Sequence, residues 1–409
     1  MFYSAFLATL LLSLSVAASP VVVNKSPVSL PLSRRLNLTS IHNLVRHDQN
    51  RAKALKSRGN SKPTGARRSE DAVIGSPVDN QAVTYVASVG VGNPPTQYSL
   101  IVDTGSSNTW VGAGKAYGPT STRSGPVGLV SVTYGSGSFI GLEWIDKVTI
   151  APSLVIPNQS IGGALLAGGF SGYDGILGLG PVDLTEGTVV GATTIPTVTD
   201  NLFSQGTIPA NEIGISFEPT TTVDNVNGEI TWGGTDASKF TGSITYIPVT
   251  TTSPSSSYWG IDQSISYGGQ TILSETAGVV DTGTTLILIA SDAFQAYKNA
   301  TEAVSDSATG LLKLTTAQFG NLKNLDFVAG GTTFTLTPNA QIWPRSLNTA
   351  IGGTAGNIYL IVSDLGSPSG QGLDFINGFS FLERFYSVYD TANERVGLAT
   401  TPFTTATTN

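Results

Sequence analysis

Residues 102–110 read Val-Asp-Thr-Gly-Ser-Ser-Asn-Thr-Trp, and residues 279–285 read Val-Val-Asp-Thr-Gly-Thr-Thr. Each copy sets an Asp after apolar residues and before Thr-Gly, which predicts a buried strand ending in a tight loop that presents a carboxylate. One such loop is an ordinary turn. Two, 178 positions apart at Asp103 and Asp281, predict a duplicated fold whose halves bring the two acids together. Close carboxylates do not both ionise easily, so they share a proton and act as an acid–base pair. A second phrase repeats as well, Asp174-Gly-Ile-Leu-Gly178 and Asp374-Phe-Ile-Asn-Gly378. The repeat predicts two similar lobes about a pseudo-twofold axis with a cleft between them.

Composition removes the main alternatives. The two histidines, His42 and His47, lie in the first 70 residues, and there is no cysteine. The rest of the chain therefore lacks the residues for Ser–His or Cys–His catalysis and the usual zinc ligands. Carboxylates remain for acid–base work, and neither a metal nor an organic cofactor is implied. The 409 residues are enough for two substantial cores. Only 12% are charged and 47 are Gly, which suits an all-β chain with many turns. Short helices are expected around 199–204, 292–300 and 315–322, with Ser291 or Asp292 capping the second and Thr315 the third.

The N-terminal region differs from the rest. Residues 5–16 are almost wholly apolar and small residues follow, which predicts a signal peptide over 1–18; the run is too short for a membrane helix. Residues 1–70 carry 11 Lys or Arg against two acids, whereas 71–409 carry 10 against 26. Segment 19–70 reads either as a propeptide that pairs with its own acidic domain or as a basic linker. Ile41, Leu44, Val45, Ala52 and Leu55 fit one face of a helix, and Arg67-Arg68 reads as a candidate cut site for a dibasic processing enzyme. An acidic body argues against nucleic acid. The Ser/Thr/Pro-rich stretch 250–257 marks the boundary between a lobe of 71–250 and one of 251–409. Asn158 and Asn299 begin glycosylation patterns.

From residue 71 onward the chain resembles the pepsin-like aspartic peptidases, and its first 70 residues resemble their signal and propeptide. The doubled Asp-Thr-Gly, the segment Tyr134-Gly-Ser-Gly-Ser138 and the two Gly-ended phrases at 178 and 378 carry the resemblance. It implies a bilobal double-ψ β-barrel fold with a deep central cleft, and a secreted, monomeric endopeptidase working in acid. Asp103 and Asp281 would activate one water between them, the aspartic peptidases being the standard instance of carboxylates sharing a proton. Thr104 and Thr282 would lock the two loops to each other, Ser106 and Thr284 would bond the outer carboxylate oxygens, and Gly105 and Gly283 would allow close approach. Tyr134, Gly135 and Ser136 would form a flap over the substrate, with Tyr134 bonded to the Trp110 indole. Ile101, Ile176, Tyr258, Val279 and Ile376 are candidate pocket residues, though each reads equally as core. Peptide substrates, the chain's own propeptide and pepstatin-type inhibitors are the implied partners. One departure stands out. Where the family usually has Ile-Leu-Gly-Asp, this chain has Ile376-Asn377-Gly378-Phe379, so an amide replaces an apolar residue and an acid is lost. Two rivals are a catalytically dead binding protein, which would typically lose an Asp, a flanking Gly or the flap Tyr, and a two-carboxylate glycosidase, which gives no reason for the doubled phrase.

Overall fold

A computed structural model describes residues 26–36, 44–60, 83–135 and 137–409. The expected signal segment, Ile41, His42, the Arg67-Arg68 pair and Ser136 lie outside the described residues. The fold is mostly β, and it is built twice. In the first half, strand Val83–Val91 turns through Gly92, whose φ of 86° suits a residue without Cβ, into strand Thr96–Asp103. The two pair antiparallel with Val86 opposite Ile101. In the second half, strand Gly260–Tyr267 pairs with strand Gln270–Val280, with Gly260 opposite Val279. Ile101 and Val279 each stand two residues before their Asp, so the two hairpins share one register.

The repeated second phrases complete each half. Strand Gly175–Gly178 runs parallel to the first Asp strand, with Val102 opposite Leu177, and strand Phe375–Asn377 runs parallel to the second, with Val280 opposite Asn377. Parallel strands buried on both faces must be continuously apolar, as Leu100-Ile101-Val102 is. Asp174 N–H donates to Ser99 O and Asp374 N–H to Ala277 O, both at 2.9 Å, at matching positions in the two halves.

The halves share a floor. Among the described residues, a 13-stranded sheet joins first-half strands to Phe385–Asp390 and Arg395–Thr400 from the far end of the chain. Strand Val28–Leu36, from the basic N-terminal region, is inserted in that sheet between Asn225–Trp232 and Val83–Val91. Helix α1 (Leu44–Gly59) follows it and buries Leu44, Val45, Ala52 and Leu55, the face expected from sequence.

The three short helices fall at Val198–Ser204, Ser291–Thr301 and Thr316–Gly320. Thr315 caps the third in a capping box with Gln318. The second departs from expectation, because its N-cap is Ala290 and no side chain caps it. Tertiary partners claim the expected caps: Ser291 Oγ donates to Asp364 at 2.6 Å, and Asp292 accepts from Ser369 N–H and Oγ. Asn158 and Asn299 are both exposed.

Candidate active site

Each Asp sits where a buried strand stops and one backbone N–H and one side-chain hydroxyl can face one carboxylate. Gly105 N–H donates to Asp103 Oδ1 at 2.9 Å and Ser106 Oγ to its Oδ2 at 2.5 Å. Gly283 N–H donates to Asp281 Oδ1 at 3.0 Å and Thr284 Oγ1 to its Oδ2 at 2.6 Å. The two loops also hold each other. Thr104 N–H donates to Thr282 Oγ1 and Thr282 N–H to Thr104 Oγ1, both at 3.0 Å. In turn Thr282 Oγ1 donates to Val102 O at 2.9 Å, and Thr104 Oγ1 to Val280 O at 3.3 Å. Every polar atom in this reciprocal grip is satisfied across the axis, so neither loop can shift alone. The glycines permit the approach. An added Cβ at Gly105 would lie 2.6 Å from Asp281 Oδ1, and one at Gly283 2.5 Å from Asp103 Oδ1.

A cation occupies the space between the carboxylates. Arg51 of α1 gives Nη2 to Asp103 Oδ1 at 2.5 Å and to Asp281 Oδ1 at 2.8 Å, while its Nε donates to Asp281 Oδ2 at 2.6 Å. Both acids are fully buried and Arg51 is nearly so. Burial pushes Asp281 up, yet the Arg51 charge and hydrogen bonds, joined by Thr284 and the Gly283 N–H, prevail and hold its carboxyl below the usual range. Burial likewise works against the Arg51 charge, and the two carboxylates outweigh it.

The hairpin of Ser124–Tyr134 and Gly137–Ala151 brings its tip over the same place. Trp110 Nε1 donates to Tyr134 Oη at 2.9 Å, and Trp110 stacks on Phe139 at 4.1 Å with Phe170 edge-on at 4.8 Å. Burial raises the Tyr134 phenol and keeps it neutral. Gly135, at the hairpin tip, lies directly against α1, where an added Cβ would be 2.1 Å from Arg51 Cα.

A reciprocal grip, two donor-lined carboxylates and a Tyr-tipped hairpin agree with what sequence similarity finds. The family model for eukaryotic aspartyl protease matches residues 84–401. The chain belongs to that family. It is 68% identical over 336 residues to polyporopepsin of Irpex lacteus, covering 81% of this chain and 98% of the relative. It is 31% identical to gastricsin of Cavia porcellus, covering 82% and 84%. The crystal structure of aspartic proteinase from Irpex lacteus superposes with a TM-score of 0.80 at 58% identity, over 94% of this chain and 100% of that one. The chain is thus a pepsin-like aspartic endopeptidase, a hydrolase of peptide bonds.

The remaining candidates of this aspartyl protease separate into three groups. Ile101 and Ile176 line a cavity beside Asp103 together with Tyr134, Phe170, Tyr173, Thr84 and Gly283, and His47 and Arg51 of α1 reach into it. Tyr258 stands against α1, where its Oη donates to Leu55 O at 2.8 Å. Val279 and Ile376 are strand partners buried in the main core, and neither lines that cavity. Sequence reading missed Arg51 as an individual, Phe170, Tyr173 and Thr84. Only Arg51 had a signal, its place in the basic segment beside Ala52 and one turn before Leu55. Among the described residues no group of three or more His, Cys, Asp or Glu could hold a metal ion, and no helix is long and apolar enough to cross a membrane.

Proposed function

We propose that Asp103 and Asp281 are the catalytic pair of a secreted, acid-acting endopeptidase made as a latent precursor, and that residues up to about 70 form its signal and propeptide. The observation that carries this reading is Arg51, a buried cation from the N-terminal segment bonded to both carboxylates. In the free enzyme one carboxylate takes a proton from a water while its protonated partner polarises the scissile carbonyl, and the gem-diol collapses as the leaving amine is protonated. Which Asp begins with the proton is a property of the pair. The four-bond grip fixes the carboxylates, and the Tyr134 flap excludes water from the closed site.

While α1 is docked, the guanidinium takes the place that water and carbonyl need. Further contacts hold the helix: Leu286 N–H donates to Asp48 Oδ2 at 2.7 Å, Gln49 Nε2 to Asp364 O at 2.8 Å, and Arg58 donates to Leu184 O. Arg34 of the inserted strand pairs with buried Glu383 at 3.2 Å. Lys56, by contrast, donates to the neutral Ser367 and Gln371.

The lowered Asp281 value makes docking pH-dependent. A carboxyl whose value is depressed by docking favours the docked state above its ordinary range, and that contribution fades as pH falls toward the depressed value. Acid therefore loosens α1. Purified precursor should be latent near neutrality and convert on acidification with cleavage near residue 70. Conversion by an Asp281→Asn precursor with no other protease present would exclude self-processing.

The cavity wall of Ile101, Ile176 and Phe170 supports a preference for large apolar residues at the cleavage site. Ser136, next after Gly135 in the sequence, is neutral and brings no counter-charge for a substrate Lys, whose desolvation would cost several kcal/mol. Matched peptides differing only in Phe or Lys should show the preference, with Ser136→Asp raising relative use of Lys; equal kcat/KM in the unmutated enzyme would sink it. Hydrolysis of denatured protein in acid and its block by pepstatin test the function as a whole.

A further inference from the structure

The departure at Asn377 has a partner. Asn377 Nδ2 donates to Gln263 Oε1 at 3.0 Å, and Gln263 Nε2 donates back to Asn377 Oδ1 at 3.2 Å. Both side chains are fully buried, 0% exposed. Gln263 lies on strand Gly260–Tyr267 and Asn377 ends strand Phe375–Asn377; the strand that leads into Asp281 runs between them in the sheet. The amide pair therefore ties together the two strands that flank the one delivering the second carboxylate.

The other half provides the control. By register from each Asp, Gln263 corresponds to Val89 and Asn377 to Leu177, both apolar and buried in the main core. Filling the space thus needs no amide. What two buried amides add is direction: each is satisfied only in one mutual alignment, and a slipped strand would leave polar groups unpaired in the core. That alignment matters at residues 377–380. Asp281 N–H donates to Asn377 O at 3.1 Å, Phe379 N–H to Thr284 O at 2.8 Å and Ser380 N–H to Thr285 O at 3.1 Å. Gly378 sits so close to the loop that an added Cβ would lie 2.2 Å from Leu286 O. The segment beginning at Asn377 clasps the Asp281 loop at both ends.

We propose that Gln263 and Asn377 are positioning residues for Asp281, holding this clasp in register so that the second carboxylate meets the first across the grip. The proposal rests on Asp103 and Asp281 being the reacting pair. An inactive wild-type enzyme, or an active Asp281→Asn, would refute that assignment and the proposal with it, whereas the variants below bear on the proposal alone.

The test compares Asn377→Leu, Gln263→Leu, the double variant Gln263→Leu/Asn377→Leu and the swap Gln263→Asn/Asn377→Gln. Each is made as the full chain, acid-converted and assayed on one peptide for kcat, KM and Tm. Each single variant strands one amide and should lower Tm, with kcat falling about tenfold and KM changing less than twofold. The double variant should recover Tm to near wild type while kcat stays low. The swap, which keeps an amide pair, should restore most of the kcat. A double variant with wild-type kcat would overturn the proposal, because the pair would then be core filling alone. So would a double variant that fails to fold, or a swap that folds with no recovery of kcat.

Discussion

In the first half of the molecule, Asp103 follows a strand backed by Val89 and Leu177, and faces a hairpin tip whose Tyr134 is bonded to Trp110. In the second, Asp281 follows a strand backed by the Gln263–Asn377 amides, and Leu288 takes the register position of Trp110. Close around the carboxylates the halves match atom for atom: an N–H on one oxygen, a hydroxyl on the other, and a Thr crossing the axis. The difference teaches where duplication is constrained. Groups that touch the two carboxylates are held to symmetry by the grip, while the layers behind them diverge into a hairpin support on one side and a polar clasp on the other.

The comparison breaks first at the acids themselves. Asp103→Asn and Asp281→Asn should each lower kcat by about 10³-fold or more with little change in shape, since both members of the pair are needed for proton transfer. An active single variant would end the two-carboxylate reading. Arg51 addresses the halves unequally, with two bonds to Asp281 and one to Asp103. Arg51→Met removes a buried cation and should weaken docking of α1 by about 3 kcal/mol, more than a hundredfold. The Arg51→Met precursor should then convert at a higher pH than the wild-type precursor; conversion of both over the same pH range would show that the helix alone blocks the cleft.

The grip sharpens the symmetric side of the comparison. Thr104→Val and Thr282→Val each remove one donor and one acceptor across the axis, so each should cost about 1–3 kcal/mol, measured by denaturant unfolding of the precursor. Costs differing by more than about 1 kcal/mol would mean the grip is not shared equally. The smallest effect tests the asymmetric side. Trp110→Phe deletes the indole donor to Tyr134, a loss of about 1 kcal/mol that should appear as a several-fold drop in kcat/KM. Unchanged kcat/KM would leave the Trp110–Tyr134 bond without a part in catalysis.

The two Asp positions were legible in the doubled phrase, whereas the flanking hydroxyls, the Thr contacts and the Trp110–Tyr134 bond were expected from the family resemblance, and the structure shows each of these contacts. Strand, turn and carboxylate follow one another within a few residues, and the second copy supplies the partner. The helix face of α1 was legible for the same reason, from spacing alone. The missing cap on Ser291–Thr301 was not, since Asp364 and Ser369 took the capping side chains from 73 and 77 residues away.

The sequence by itself determined the chemistry: a chain without His or Cys beyond its first 70 residues, carrying two acids in duplicated loops, has carboxylates and little else to work with. Tertiary structure decided that Arg51, among the described N-terminal cations, is bonded to those acids, and that the amide at 377 has its partner 114 residues earlier. The physical reason is range. A turn or a strand is set by neighbours in the chain, but a buried charge or amide is tolerable only beside a complement, and which residue supplies it depends on how distant strands are brought into register.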